Sequence, residues 1–366
     1  MILSHAETNI SGRLLELTGA LDDEPGFAEV VASLKAGHGA TLGGIWGSSC
    51  ALAAAALEAD APLALVIVCP RPADVDALAA DLALFTATPP EIFPAWETAA
   101  SENGIDDAIH GDRIRVLKRL AGDAADRPRL VVASIQSLLQ PAPSRELLES
   151  RTRRLRVGDT VDTEELLRWF AAEGFQNTPA VQLPGEFSRR GGIIDVFAPD
   201  WDEPVRIELF GDQIDSIRQF EISSQRSLAP LDSVEITIVK PDAESRDMLT
   251  SYLNPRAWFM LVEPDELQEE AKHYLHRVER RQDFHEPAEV LEAIYRFPSV
   301  TAAAVAGGSM EATCQLRLES VERFSGDIGK VRSELDSAAA RQEVIVVCQT
   351  EAEIERLREI FSTTRL

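Results

Sequence analysis

The sequence predicts an α/β protein: a parallel-sheet domain, one inserted α+β domain, and the start of a further α/β domain. Two short apolar runs, Leu63 to Cys69 and Arg129 to Ser134, alternate with amphipathic helical segments, which is the syntax of strands covered on both faces. Near Arg151 this alternation gives way to short strands separated by Gly-containing turns, and beyond Pro241 it returns. An interruption followed by a resumption is what an insertion produces.

Residues 1 to 40 carry weak helical periodicity and a Gly-rich approach. From Thr41 the order is loop, helix (Cys50 to Glu58), buried strand (Leu63 to Cys69) and a second helix. Pro72 suits that helix's first turn, and Val75, Leu78, Leu82 and Phe85 share one face. The strand at Arg129 to Ser134 follows. A helix then starts at Asp162 or Thr163, with Glu165 three residues after Asp162, carries Leu166, Leu167 and Phe170, and stops at Gly174. Strands dominate to about Ile238. Ala257 to Val262 and a helix from Pro264 to about Arg280 lead back toward the first sheet. The last stretch offers a strand, Val344 to Cys348, a capping box of Thr350 and Glu353, and a helix face of Ile354, Leu357 and Phe361. One βα unit cannot bury its own apolar face, so the chain is expected to be the front part of a longer protein or to pack this unit on the preceding body. The expected domains are 1–150 and 239–315 as two halves of the parallel-sheet domain, 151–238 as the insert, and 316–366 as a linker with the beginning of another α/β domain.

Within the insert, Pro204 to Phe210 alternates. Val205, Ile207 and Leu209 share one face, and Arg206, Glu208 and Phe210 the other. The first is a core face. The second should be wet, yet it ends in a large aromatic near a guanidinium, a pairing enriched where one protein grips another. Gly191-Gly192 and Gly211-Asp212 supply the turn chemistry of hairpins. Arg190 shares parity with Ile194 and Val196, so it reaches the outer face only if Gly191-Gly192 forms a bulge.

Composition excludes several classes. With 45% hydrophobic and 27% charged residues the chain is globular rather than disordered. No apolar run approaches the roughly 20 residues of a membrane span, and a cytoplasmic location is expected. The four cysteines lack C-x-x-C spacing, so reduced thiols without a metal are expected. His273 and His276, with His285 beyond them, are read as part of a solvated helix face. The net charge of −25 repels a phosphate backbone unless a local basic groove overrides it. The one basic cluster, Arg151, Arg153, Arg154 and Arg156, reads as a solvated edge strand.

A working P-loop, G-x-x-x-x-G-K-[ST], needs a Lys for the β/γ charge and a hydroxyl for Mg²⁺. Gly44-Ile45-Trp46-Gly47-Ser48-Ser49-Cys50-Ala51 keeps the glycines Gly44 and Gly47 but puts Cys50 in place of the Lys and Ala51 in place of the Ser or Thr. The run Val131 to Ser134 continues as Ile135-Gln136, without the acidic pair of a Walker B strand. No ATP binding, no cofactor and no catalytic residue are expected of this degenerate loop.

The runs PGEFSRRGGIIDVFAP and PVRIELFGDQIDSIRQF, then SQRSL at Ser224 to Leu228, together with FPAWET at Phe93 to Thr98 and Asp112 to Leu120, resemble the amino-terminal module that bacterial transcription-repair coupling factors share with the excision-repair protein UvrB. The resemblance is strong over about 25 to 240 and thins over 240 to 315. It implies a non-catalytic module that recruits UvrA to stalled transcription, with Arg190, Arg206 and Phe210 at the UvrA-contacting positions. RNA polymerase and DNA would be engaged by parts of the full-length family that this chain does not contain. UvrB-type proteins also insert a long Tyr-rich hairpin that wedges between DNA strands; the stretch Glu97 to Asp107 is short and has no Tyr. The alternative, a UvrB-like ATP-dependent helicase or damage-binding fragment, is disfavoured by that absence, by the charge, and by Cys50 and Ala51.

Overall fold

Strands that are apolar on both faces must be covered on both faces, and the chain does this with a seven-stranded parallel sheet. A computed structural model describes residues 14–96, 107–240, 246–305, 312–318, 333, 335, 337, 339, 340, 348 and 350–362. Helix α1 (Phe27–Lys35) precedes β1 (Ala40–Gly43). Helix α2 (Ser48–Asp60) leads to β2 (Leu65–Cys69), α3 (Pro72–Phe85) to β3 (Glu91–Phe93), and α4 (Ala108–Ala121) to β4 (Leu130–Ser134); α5 (Ile135–Leu139) and α6 (Arg145–Ser150) follow. The insert then comprises β5 (Thr152–Arg156), α7 (Thr163–Glu173), β6 (Gln176–Asn177), β7 (Glu186–Arg190), β8 (Ile193–Phe197), β9 (Val205–Phe210), β10 (Gln213–Phe220), β11 (Ser227–Leu231) and β12 (Ser233–Thr237). After it come β13 (Trp258–Val262), α8 (Pro264–Arg277), α9 (Pro287–Ile294), β14 (Ser299–Ala303) and β15 (Ala312–Gln315).

The parallel order is β15-β1-β14-β13-β2-β4-β3. The chain therefore leaves this sheet after β4 and re-enters it at its centre, where β13 pairs with both β2 and β14. All five residues of β2 and of β4 are buried. Their alternate side chains feed two separate cores: Leu65 and Ile67 on one side, Val66 and Val68 on the other. The expected α/β class is thus observed. Helix α2 is longer than the sequence expectation because its first turn is the exposed Ser48-Ser49, which carries no apolar signal. Helix α8 stops at Arg277 rather than near Arg280, where Val278 turns extended.

The insert has its own core, drawn from residues 155 to 238, in which Phe170 packs at 5.3 Å ring spacing against Phe175 and Phe187. Its strands form a six-stranded sheet, β11-β10-β9-β8-β7-β6, and a two-stranded pair, β12-β5. Helix α7 matches expectation: the Asp162 side chain accepts from the Glu165 amide, and Gly174 ends the helix in a left-handed conformation. Three of the four arginines of the basic cluster are ion-paired: Arg151 with Glu173, Arg153 with Glu165, and Arg154 with Glu235.

Helix α4 joins insert and parallel sheet. A Cβ on Gly111 would sit 1.9 Å from the Pro199 carbonyl oxygen, so only glycine allows this approach. One turn on, Arg115 donates to Asp202 at 2.6 Å, and two turns on, Lys118 donates to the buried Asp200 at 2.6 Å. On the same helix, Arg113 is buried, lies over Phe93 and Trp96 at 4.1 and 4.4 Å, and donates to the Pro94 carbonyl at 2.7 Å. Phe93 to Trp96 and the Asp112–Leu120 element, which belong to two of the runs that carried the family resemblance, are therefore packed together.

Residues 317–366 form a second compact unit. Its helix α10 (Glu351–Phe361) has the reciprocal Thr350–Glu353 capping box, with Ile354, Leu357 and Phe361 partly covered. The expected strand at Val344 to Cys348 lies outside the described residues except for Cys348, as does nearly all of Glu97 to Asp107.

Candidate functional site: the outer face of the inserted sheet

Two tight hairpins build the face. Arg190 pairs with Ile193 across Gly191-Gly192, and Phe210 with Gln213 across Gly211-Asp212. Gly191 and Gly211 take φ of +61° and +62°, the left-handed backbone that a two-residue hairpin turn requires. Because Arg190 stands directly opposite Ile193, it shares a face with Asp195 and not with Ile194 and Val196. The bulge expectation is corrected: a turn, not a bulge, brings Arg190 outward, since parity counted along the chain restarts at a hairpin. A real irregularity lies on β10, where the register slips between Ile214 and Ser216; this keeps Ile214 and Ile217 both in the core.

The face brings Arg190 and Arg206 together around a residue that the sequence reading missed, and carries Phe210 further along β9. Asp195 lies opposite Arg206 on β9. Its carboxylate, with a side chain only 2% exposed, accepts from Arg206 Nε at 2.7 Å, from Arg206 Nη2 at 2.9 Å and from Arg190 Nη2 at 2.8 Å. These charge-assisted bonds compensate the cost of burying the carboxylate. The hydrogen bond to Asp195 raises the Arg206 pKa above its ordinary value, so Arg206 stays charged. Its guanidinium also lies over the buried Phe220 ring at 4.6 Å and reaches Gln225 Oε1 at 3.1 Å. Next along the face, Glu208 accepts from Arg218 and, at 2.9 Å, from Ser216. The centre of the face is consequently ion-paired, around a carboxylate shielded from water. A legible signal existed: Asp195 is the one charge in the apolar run Ile193 to Phe197.

Phe210 differs from all of these. At the end of β9 it is 84% exposed, the most exposed large hydrophobic among the described residues. An apolar ring left in water at the end of the strand that also carries Arg206 is a surface prepared to bury something.

The degenerate loop forms a second concavity, of about 220 Å³, at the carboxyl ends of the parallel strands, where α/β sheets place ligands. Gly44 and Gly47 keep positive φ, so the turn survives. The chemistry does not. The Trp46 amide is taken by Ser49 Oγ at 2.8 Å, and Ser48 donates to Asp81 at 2.7 Å. Cys50 and Cys69 line the floor; burial pushes both thiols up to about 12, so neither is a thiolate at neutral pH. Ala51 is buried and has no hydroxyl to offer. Asp74, Asp81, Glu263 and Glu266 surround the opening, and Arg71, the one cation lining it, pairs with Asp74 at 3.1 Å and Glu266 at 3.5 Å. This polarity repels a polyphosphate.

The fold is that of an α/β protein whose parallel sheet is interrupted in sequence by the strands of a second sheet. Residues 154–240 match the family described as the UvrB interaction domain. The chain is similar to transcription-repair-coupling factors: 34% identical over 63% of this chain to that of Myxococcus xanthus, 37% over 50% to that of Mycobacterium bovis, and 32% over 43% to that of Bacillus subtilis. The matches cover 19%, 15% and 14% of those relatives, so the chain spans less than a fifth of their length. The family resemblance read from the PGEFSRRGG and PVRIELFGD runs is thereby supported. No helix among the described residues is long and apolar enough to cross a membrane.

Proposed function

We propose that this chain is a non-catalytic interaction module whose inserted sheet binds UvrA through Phe210, Arg206 and Arg190, and that within a longer coupling factor it recruits UvrA to RNA polymerase stalled at a lesion. The exposure of Phe210, at the end of the strand whose same face carries Arg206, carries this reading. The match to a UvrB interaction domain over the same strands supports it, and so does the similarity to coupling factors. The net charge of −25 and the ion pairs of Arg151, Arg153 and Arg154 leave DNA to other parts of such a protein, and the family resemblance leaves RNA polymerase to them too.

The test separates binding from folding. Truncating Phe210 to Ala is expected to cost about 2 kcal/mol or more of UvrA affinity, as a hot-spot aromatic does. The melting temperature should be unchanged, because the ring lies outside the core. Titration and thermal melting on the same variant check this. A lowered melting temperature with intact affinity would show Phe210 to be a packing residue.

A further inference from the structure

We infer that Asp195 and Gln225 are positioning residues of the partner-binding face, holding Arg206 in one orientation so that its Nη1 group is left for an acceptor oxygen of the partner. The inference rests on the reading of this face as the binding surface. Arg206 is fixed on three sides. Asp195 occupies Nε and Nη2, Gln225 Oε1 takes a further Nη2 hydrogen, and the Phe220 ring lies flat beneath. Nη1 has no hydrogen-bond partner among the described residues, and a guanidinium held this way loses little rotamer freedom when a carboxylate or carbonyl arrives.

Gln225 supplies the independent observation. It is one of two described non-glycine residues with positive φ, at +57°, a conformation disfavoured for a side chain of this kind. Its amide donates to Glu221 O at 2.8 Å and its Nε2 to Ile222 O at 3.0 Å, which aims Oε1 at Arg206. Gln225 closes the turn between β10 and β11, a place that favours glycine, yet it carries a side chain that reaches an arginine on the exposed face, and that points to function. If the turn served the fold alone, glycine would do better there.

The experiment measures melting temperature and affinity for purified UvrA on the full chain, comparing Asp195→Asn, Gln225→Gly and Phe210→Ala. Asp195→Asn keeps the shape but removes the charge that pins both arginines, and is expected to weaken binding about tenfold or more. Gln225→Gly relieves the left-handed backbone while deleting the aiming oxygen, so affinity should fall about threefold or more with no loss of melting temperature. A Gln225 that serves the turn alone predicts unchanged affinity. Less than a threefold effect of Gln225→Gly, or a loss of affinity only in step with a lower melting temperature, overturns the inference when Phe210→Ala does weaken binding. Should Asp195→Asn fail to fold, Gln225→Gly still decides. Unchanged affinity in all three variants overturns the surface assignment itself, and the inference with it.

Discussion

Phe210 and Phe220 carry the same side chain on adjacent strands and meet opposite environments, one 84% exposed and the other fully buried under Arg206. The difference has a consequence for mutagenesis. Arg206, whose side chain is only 16% exposed, neutralises a carboxylate that has almost no access to water. Arg206→Glu would set a second carboxylate against Asp195, leaving Arg190 alone to oppose both. The expected cost is about 3 kcal/mol or more of folding stability, as when a buried pair is broken. Chemical denaturation of this variant checks the prediction, and a midpoint equal to that of the unmodified chain would contradict it. Charge reversal at Arg206 is therefore a poor probe of binding on its own, whereas Phe210→Ala is a clean one. The alternation of β9 was legible because one face is apolar without exception. The Asp195 cluster was not, since its members lie on three strands and a loop that sequence spacing does not bring together.

At the scale of elements, the insert is held in two ways. Its core is its own, drawn entirely from residues 155 to 238, and it also docks on α4 through the close approach of Gly111 to Pro199 and the Lys118–Asp200 pair. We propose residues 151–238 as a separable domain. The isolated segment is expected to unfold cooperatively but at a lower temperature than the intact chain, because the α4 contacts are lost and Asp200 loses its Lys118 partner. Calorimetry on the segment tests this; a broad, non-cooperative trace would mean that the core cannot stand without α4. The two hairpins were readable from Gly191-Gly192 and Gly211-Asp212, whose turn geometry is a local property. The docking was not. Gly111 sits in a helix, where a glycine has no local reason to be, and only the partner loop supplies one.

On the scale of the whole molecule, the cleft at the degenerate loop inverts the electrostatics of a nucleotide site: a thiol stands where the lysine should, and carboxylates line the rim. ATP with Mg²⁺ is expected to leave the melting temperature where it is, because a ligand stabilises only by occupying the native state. A saturable, Mg²⁺-dependent rise would refute this and restore the enzyme reading. The sequence by itself determined the α/β class, the interruption near Arg151, the return beyond Pro241 and the loss of the lysine and hydroxyl, because periodicity, turn residues and motif chemistry are local and survive without coordinates. Tertiary structure decided which strands neighbour one another, that Arg190 faces outward, and that a buried aspartate and a strained glutamine lock Arg206. Those facts depend on residues 5 to 19 positions apart meeting across hairpins, and pairing across strands is set by register and turn geometry, not by the pattern within any one strand.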